Sequence, residues 1–194
     1  MAALDKHEIV ILGANFAGIS TAHYLLRNTI PALSQLNPSI SYRVSLVSPS
    51  THFFWKVGAP RMLVSPDLLS IDKAFVLIAD GFKEYSPEQY RFILGTAVGL
   101  DPEKKAVTID HEQTTSTISY STLVIATGTS SNTALWTLNG SHDLSVQAFK
   151  DMHERLPTAK TILIAGGGKS AASRTSKHSI TIVQDLEERK PPAK

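Results

Sequence analysis

The segment Gly13-Ala14-Asn15-Phe16-Ala17-Gly18 carries the clearest chemical potential in the chain. It follows directly on Ile9-Val10-Ile11-Leu12, an apolar and largely β-branched run, so a buried parallel strand is expected to break into a tight turn at Gly13. Ala17, Gly18, Ala22, Leu25 and Leu26 then recur at helical spacing as far as Arg27 and Asn28. A helix that starts at such a turn presents unpaired N–H groups and a partial positive charge, which suit a pyrophosphate. Gly13 permits the turn and Gly18 the close approach of helix to strand, but Asn15 stands where the G-x-G-x-x-G pattern has its middle glycine. Read alone, the segment is either a phosphate cradle or an ordinary βα turn.

Tyr42 to Val47 reads as the next strand and completes a βαβ unit after a link containing Pro, Ser and Asn. The carboxylate that usually bonds ribose hydroxyls at the end of such a strand is missing, because no Asp or Glu occurs between Glu8 and Asp67. Ser48 occupies the position, either as a weaker ribose partner or as a turn residue before Pro49. Arg61, the only arginine between Arg43 and Arg91, closes the segment His52-Phe53-Phe54-Trp55-Lys56-Val57-Gly58-Ala59-Pro60-Arg61. Its aromatic residues and two cations suit a site for a flat ring and a diphosphate, since guanidinium grips phosphate oxygens in a fork; the alternative is an exposed aromatic loop packed on the sheet.

The elements that must position these residues follow in order. A short helix is expected within Pro60 to Leu69, a strand over Tyr90 to Leu94, and an antiparallel hairpin from Ala106–Asp110 and Thr117–Tyr120 around a polar stretch. Leu123 to Gly128 reads as another buried strand ending in glycine, and Gln147 to Leu156 as a helix ended by Pro157. Thr161 to Ala165 repeats the character of the first strand and runs into Gly166-Gly167-Gly168, a second strand-to-glycine junction.

Composition bounds the function. With 194 residues, 42% hydrophobic and 19% charged, the chain is an ordinary globular protein of one to two domains. A net charge of +2 gives no support to nucleic-acid binding, and six of the nineteen basic residues fall after Gly168. The absence of cysteine excludes disulfides, thiolate metal sites and a redox dithiol within these residues, so any electrons must travel on a bound cofactor. The seven histidines lack metal-ligand spacing, and His52 beside the aromatic segment is the one of interest. No G-x-S-x-G elbow supports hydrolase chemistry, and Leu163 stands where GGGKS would need a glycine to be a phosphate loop. The apolar run near the N-terminus is too short for a signal peptide or a membrane span, which makes a cytoplasmic chain the expectation, with mitochondrial or membrane-peripheral association left open.

Taken in order, GxxxxG at 13–18, HFFWKVGAPR at 52–61, FILGTAVGLD at 92–101, ISYSTLVIATG at 118–128 and TILIAGGG at 161–168 resemble the two-dinucleotide-binding flavoprotein oxidoreductases. The resemblance is strongest to the apoptosis-inducing-factor-like branch, which includes ferroptosis-suppressor-type NAD(P)H:quinone oxidoreductases. It implies an α/β fold with a Rossmann-like FAD-binding domain and a small antiparallel hairpin layer over residues 1–157. A second, incomplete NAD(P)-binding unit would begin at 158–183, with a charged tail over 184–194. By position, the resemblance implies that Gly13, Ala14, Asn15, Phe16, Ala17 and Gly18 cradle the FAD pyrophosphate and that Ser48 lies by the adenosine ribose. Arg61 would contact FAD, the Ala97 backbone would contact the adenine, and Thr127 and Gly128 would line the closing side. The activity implied is hydride transfer from NAD(P)H through FAD to a quinone or similar acceptor, with no catalytic side chain and no metal.

The second motif departs from the pattern. After GGG comes the polar link 169–179, short for a crossover, and then the strand-like Ile180-Thr181-Ile182-Val183. The sequence therefore reads as a truncated product that keeps the FAD half-site and loses most of the nicotinamide site. Two other readings stand beside it: a non-catalytic remnant, and a single-Rossmann NAD(P) reductase without flavin.

Overall fold

The structure is a computed structural model that describes residues 5–138, 140–165 and 180–183. In chain order it holds β1 (Asp5–Leu12), α1 (Phe16–Tyr24), α2 (Ile30–Leu36), β2 (Ile40–Ser48), β3 (His52–Phe54), α3 (Ala59–Val64), α4 (Ile71–Ala74), β4 (Phe75–Leu77) and α5 (Ile78–Gly81). These are followed by β5 (Tyr90–Leu94), β6 (Thr96–Asp101), β7 (Ala106–His111), β8 (Thr114–Ser119), β9 (Thr122–Ile125), α6 (His142–Arg155), β10 (Ile162–Ala165) and β11 (Ile180–Val183).

Strands β5, β2, β1 and β9 form a parallel sheet in that order, with Leu12 opposite Val47 on one side and Ile125 on the other. The run Ile9 to Leu12 is buried on both faces, as its continuous apolar character requires. Ile9 and Ile11 pack beneath Ala22, Leu26 and Ile30 of the helical layer, while Val10 and Leu12 join Val47, Val107 and Ile109 on the opposite face. A third core unites Phe54, Met62 and Phe75 with Phe149 of α6, binding the segment after β3 to the helix near the end of the described chain.

Several elements outrun the sequence expectation. The first helix does not end at Asn28: a wide π turn, Leu25–Thr29, joins α1 to α2 and carries the helix to Leu36. Pro31 has no N–H and crowds the carbonyl one turn back, and a wide turn just before it absorbs that misfit without breaking the helix. The expected hairpin is a three-stranded antiparallel sheet, β6-β7-β8, whose first strand begins at Thr96. Glu112 and Gln113 both take positive φ, the signature of a two-residue turn between β7 and β8, so the polar stretch is mostly strand. Helix α6 starts at His142 rather than Gln147, because the Ser141 hydroxyl accepts the Asp143 N–H and caps it. The helix expected within Pro60 to Leu69 is the shorter α3, Ala59–Val64.

Strands β10 and β11 pair in parallel, with Ile162 opposite Ile180 and Ala165 opposite Val183. The glycine run 166–168, the link 169–179 and the tail 184–194 lie outside the described residues.

Candidate functional site

The turn after β1 is built on two glycines. Gly13 has φ +101°, and its N–H donates to the Val47 carbonyl at 2.8 Å, fixing the turn to the neighbouring strand. Gly18 lies directly beneath it: a Cβ there would collide with the Gly13 carbonyl oxygen. The glycine spacing therefore presses the start of α1 against the end of β1, and the first N–H groups of that helix face the space beyond the sheet.

Asn15, at the place of the missing middle glycine, is the N-cap of α1. Its side-chain oxygen accepts the Phe16 N–H at 3.0 Å, so the amide is folded back on the helix start. That arrangement explains how a side chain fits at this position, and it also uses one of the donors that a phosphate would take.

At the end of β2, Ser48 is buried and does turn duty: its hydroxyl oxygen accepts the Ser50 N–H at 3.2 Å, and its carbonyl accepts the Gly95 N–H at 2.8 Å. The second bond brings the Gly95–Ala97 segment alongside. The hydrogen bonds show the turn role of this residue; its hydroxyl proton is still free to donate. On the other flank, Ala126 donates to the Leu12 carbonyl at 2.8 Å and delivers Thr127 and Gly128, the latter with φ +71°, to the same edge.

These ends enclose one cleft of about 770 Å³, within the roughly 300–1,000 Å³ range of small-molecule sites. It opens at the carboxyl ends of β1, β2 and β9, where the strand order reverses about β1, which is where open α/β sheets place ligands. Gly13, Ala14, Asn15, Phe16, Ala17, Ser48, Ala97, Thr127 and Gly128 all line it. Gly18 supports the floor without lining it, and Arg61 stands exposed on α3 outside the lining. The lining instead includes Lys56, the only charged side chain among the described lining residues, together with Val57, Trp136, Thr137 and Leu138. Lys56 carried a signal, a cation inside the aromatic segment; Trp136 carried none, because the stretch 129–138 has no periodicity.

The cleft has no carboxylate in its described lining, and a cation and a helix N-terminus give it positive character. The nearest acid in sequence, Glu8, is used elsewhere. It accepts from Arg43 at 2.7 Å and from the Ser45 hydroxyl, with Arg91 3.6 Å away. Burial pushes the Glu8 carboxyl up, but the bonds from Arg43 and Ser45 and the charges of Arg43 and Arg91 outweigh it and hold the group below its usual range.

The residues fit a dinucleotide such as FAD. The glycine turn is one that Cβ atoms would close, the helix start faces the cleft, and the walls combine apolar and hydroxyl groups.

Comparison with known proteins gives a consistent picture. Residues 7–188 match the family described as pyridine nucleotide-disulphide oxidoreductase. The chain is 40% identical over 166 residues to Oxidoreductase ptaL of Pestalotiopsis fici, covering 84% of this chain and 42% of that protein. It is 26% identical over 172 residues to Ferroptosis suppressor protein 1 of Xenopus laevis, covering 86% and 38%. Among solved structures, NDH2 from Plasmodium falciparum in complex with NADH superposes with a TM-score of 0.61 at 19% identity, over 85% of this chain and 35% of that one. The chain thus spans about two fifths of the length of the curated relatives it matches.

Proposed function

The chain belongs to the pyridine nucleotide-disulphide oxidoreductase family, and from that premise we propose that its cleft holds FAD and serves hydride transfer from NAD(P)H to a quinone or similar small acceptor. The observation that carries this reading is the convergence of nine candidate residues, from four separate segments of the chain, on one cleft at the switch point of the parallel sheet. The absence of cysteine supports a small-molecule acceptor over a dithiol of these residues.

FAD supplies the redox chemistry when bound; the chain supplies position and electrostatics. The free N–H groups at the start of α1 hold the pyrophosphate, with Gly13 and Gly18 keeping the backbone close. Ser48 would donate to the adenosine ribose, the Ala97 backbone would bond the adenine, and Thr127 and Gly128 would close the site, all four lining the cleft. Arg61, exposed on α3 and outside the lining, would be a second, more distant cation for the phosphates. No side chain acts as acid or base. The parallel pair β10 and β11 begins the unit that takes NAD(P)H.

The test is anaerobic addition of NADH or NADPH to the FAD-loaded chain. The reading expects the visible band of the oxidised flavin to bleach and to return on adding a soluble quinone. FAD binding without bleaching would leave a flavin-binding protein with no turnover and overturn the oxidoreductase assignment.

A further inference from the structure

The cleft lining has two unlike parts. Leu12, Val47 and Ala97 belong to the core shared with the antiparallel sheet, and Ser48 lies beside them. Trp136 and Leu138 line the same cleft but pack on a different core, that of Phe54, Met62 and Phe149, and Val57 precedes Ala59 of that core. One part of the lining is therefore made of strand ends with the Ser48 hydroxyl, and another contributes an indole with the aliphatic Val57 and Leu138.

The loop that carries Trp136 is tied down, and the indole packs on the core of Phe54, Met62 and Phe149. The Ser131 hydroxyl donates to the Thr133 carbonyl at 2.8 Å and shares a hydrogen bond of 2.7 Å with the Thr137 hydroxyl. The Leu135 N–H donates to the Thr133 hydroxyl at 3.3 Å. The loop is thus tied on both sides of Trp136, while Leu135 and Leu138 anchor it to the core. A half-buried indole packed on a core beside a cleft offers a large flat surface at small entropic cost, suited to stacking against a planar ring.

We propose that Trp136, flanked by Val57 and Leu138, is the ring-binding wall of the cleft and decides between a flavin dinucleotide and an adenine diphosphate that lacks the ring. The inference rests on the reading of the cleft as an FAD site. It makes Trp136 a specificity residue, with the phosphates and the adenosine held by the other part of the lining in either ligand.

Calorimetric titration with FAD and with ADP tests this. Trp136→Ala should weaken FAD binding at least about tenfold, from the loss of one aromatic stack, and leave ADP binding unchanged; Trp136→Phe should restore most of the FAD affinity. Trp55 is the only other tryptophan, so in Trp55→Phe protein the remaining emission reports on Trp136, and FAD should quench it while ADP does not. That measurement needs no substitution at Trp136 and stands even if Trp136→Ala fails to fold. Equal losses for FAD and ADP, unchanged FAD affinity in Trp136→Ala, or unquenched emission on FAD binding would each overturn the proposal while leaving the nucleotide site intact. Failure of the unsubstituted chain to bind either ligand would instead defeat the FAD reading itself.

Discussion

The imidazoles of His52 and His142 stack with their ring centroids 3.7 Å apart, joining β3 to the first turn of α6. Burial, and then the charge of His142, push the His52 pKa below its ordinary value, against a smaller opposing pull from Asp143. His23, stacked on Phe82, is lowered in the same way by burial and Arg27, with Glu84 opposing. A histidine with a depressed folded pKa contributes stability above its unfolded value, about 6.5, and loses it as pH falls. The chain should therefore melt at a lower temperature at about pH 5.5 than at about pH 7.5, on either side of that value. The His52→Phe variant should lose part of the difference. A melt that is unchanged or higher at the acidic pH would show that the stacked pair imposes no cost on protonation. Glu8 does not confuse the result, since its lowered carboxyl pKa acts only at more acidic pH.

Gly18→Ala should be severely destabilising. The added methyl meets backbone, the Gly13 carbonyl, and neither a side-chain rotation nor a small shift can relieve it. A loss of roughly 2 kcal/mol or more is expected from overpacking at a fixed turn, read by chemical denaturation. A variant as stable as the parent would mean that α1 can draw away from β1, and the phosphate cradle would lose its basis.

Much of this cradle was legible in the sequence, for a physical reason. A β-branched run stopped by glycine, followed by small residues at helical spacing, has few other solutions, and β1, α1 and the cleft floor followed directly. The helix beyond Asn28 was not legible, because proline normally ends a helix and only the wide turn at 25–29 lets this one continue. The ends of the antiparallel sheet were obscured by polar residues on an exposed strand, Thr114 to Ser119. Trp136 and Lys56 reach the cleft through the packing of α6 and of the turn after β3, which no local pattern encodes. Arg61 shows the converse: its residue type suits phosphate, but it stands exposed on α3 and does not line the cleft.

Asn15→Gly should tighten FAD binding. The change restores the middle glycine and releases the Phe16 N–H now bonded to the Asn15 oxygen, while glycine at an N-cap costs only a few tenths of a kcal/mol. A gain of about one hydrogen bond to a charged group, roughly 1.5 kcal/mol or about tenfold in affinity, is expected. Weaker binding would show that the Asn15 amide itself contacts the ligand.

Lys56→Gln and Arg61→Ala separate the two cations. Lys56 lines the cleft and Arg61 does not, so Lys56→Gln should weaken FAD more strongly and flatten the dependence of affinity on salt. Arg61→Ala should also weaken FAD retention, by less. Should Arg61→Ala alone cause the loss, the phosphates lie nearer α3 than the lining suggests.

The most direct measurement is the visible absorption spectrum of the freshly purified chain after incubation with FAD and removal of excess, with the bound flavin then released by heat and identified. The account predicts one FAD per chain and a flavin band altered from that of free FAD. A colourless protein that nevertheless remains folded by circular dichroism would contradict it.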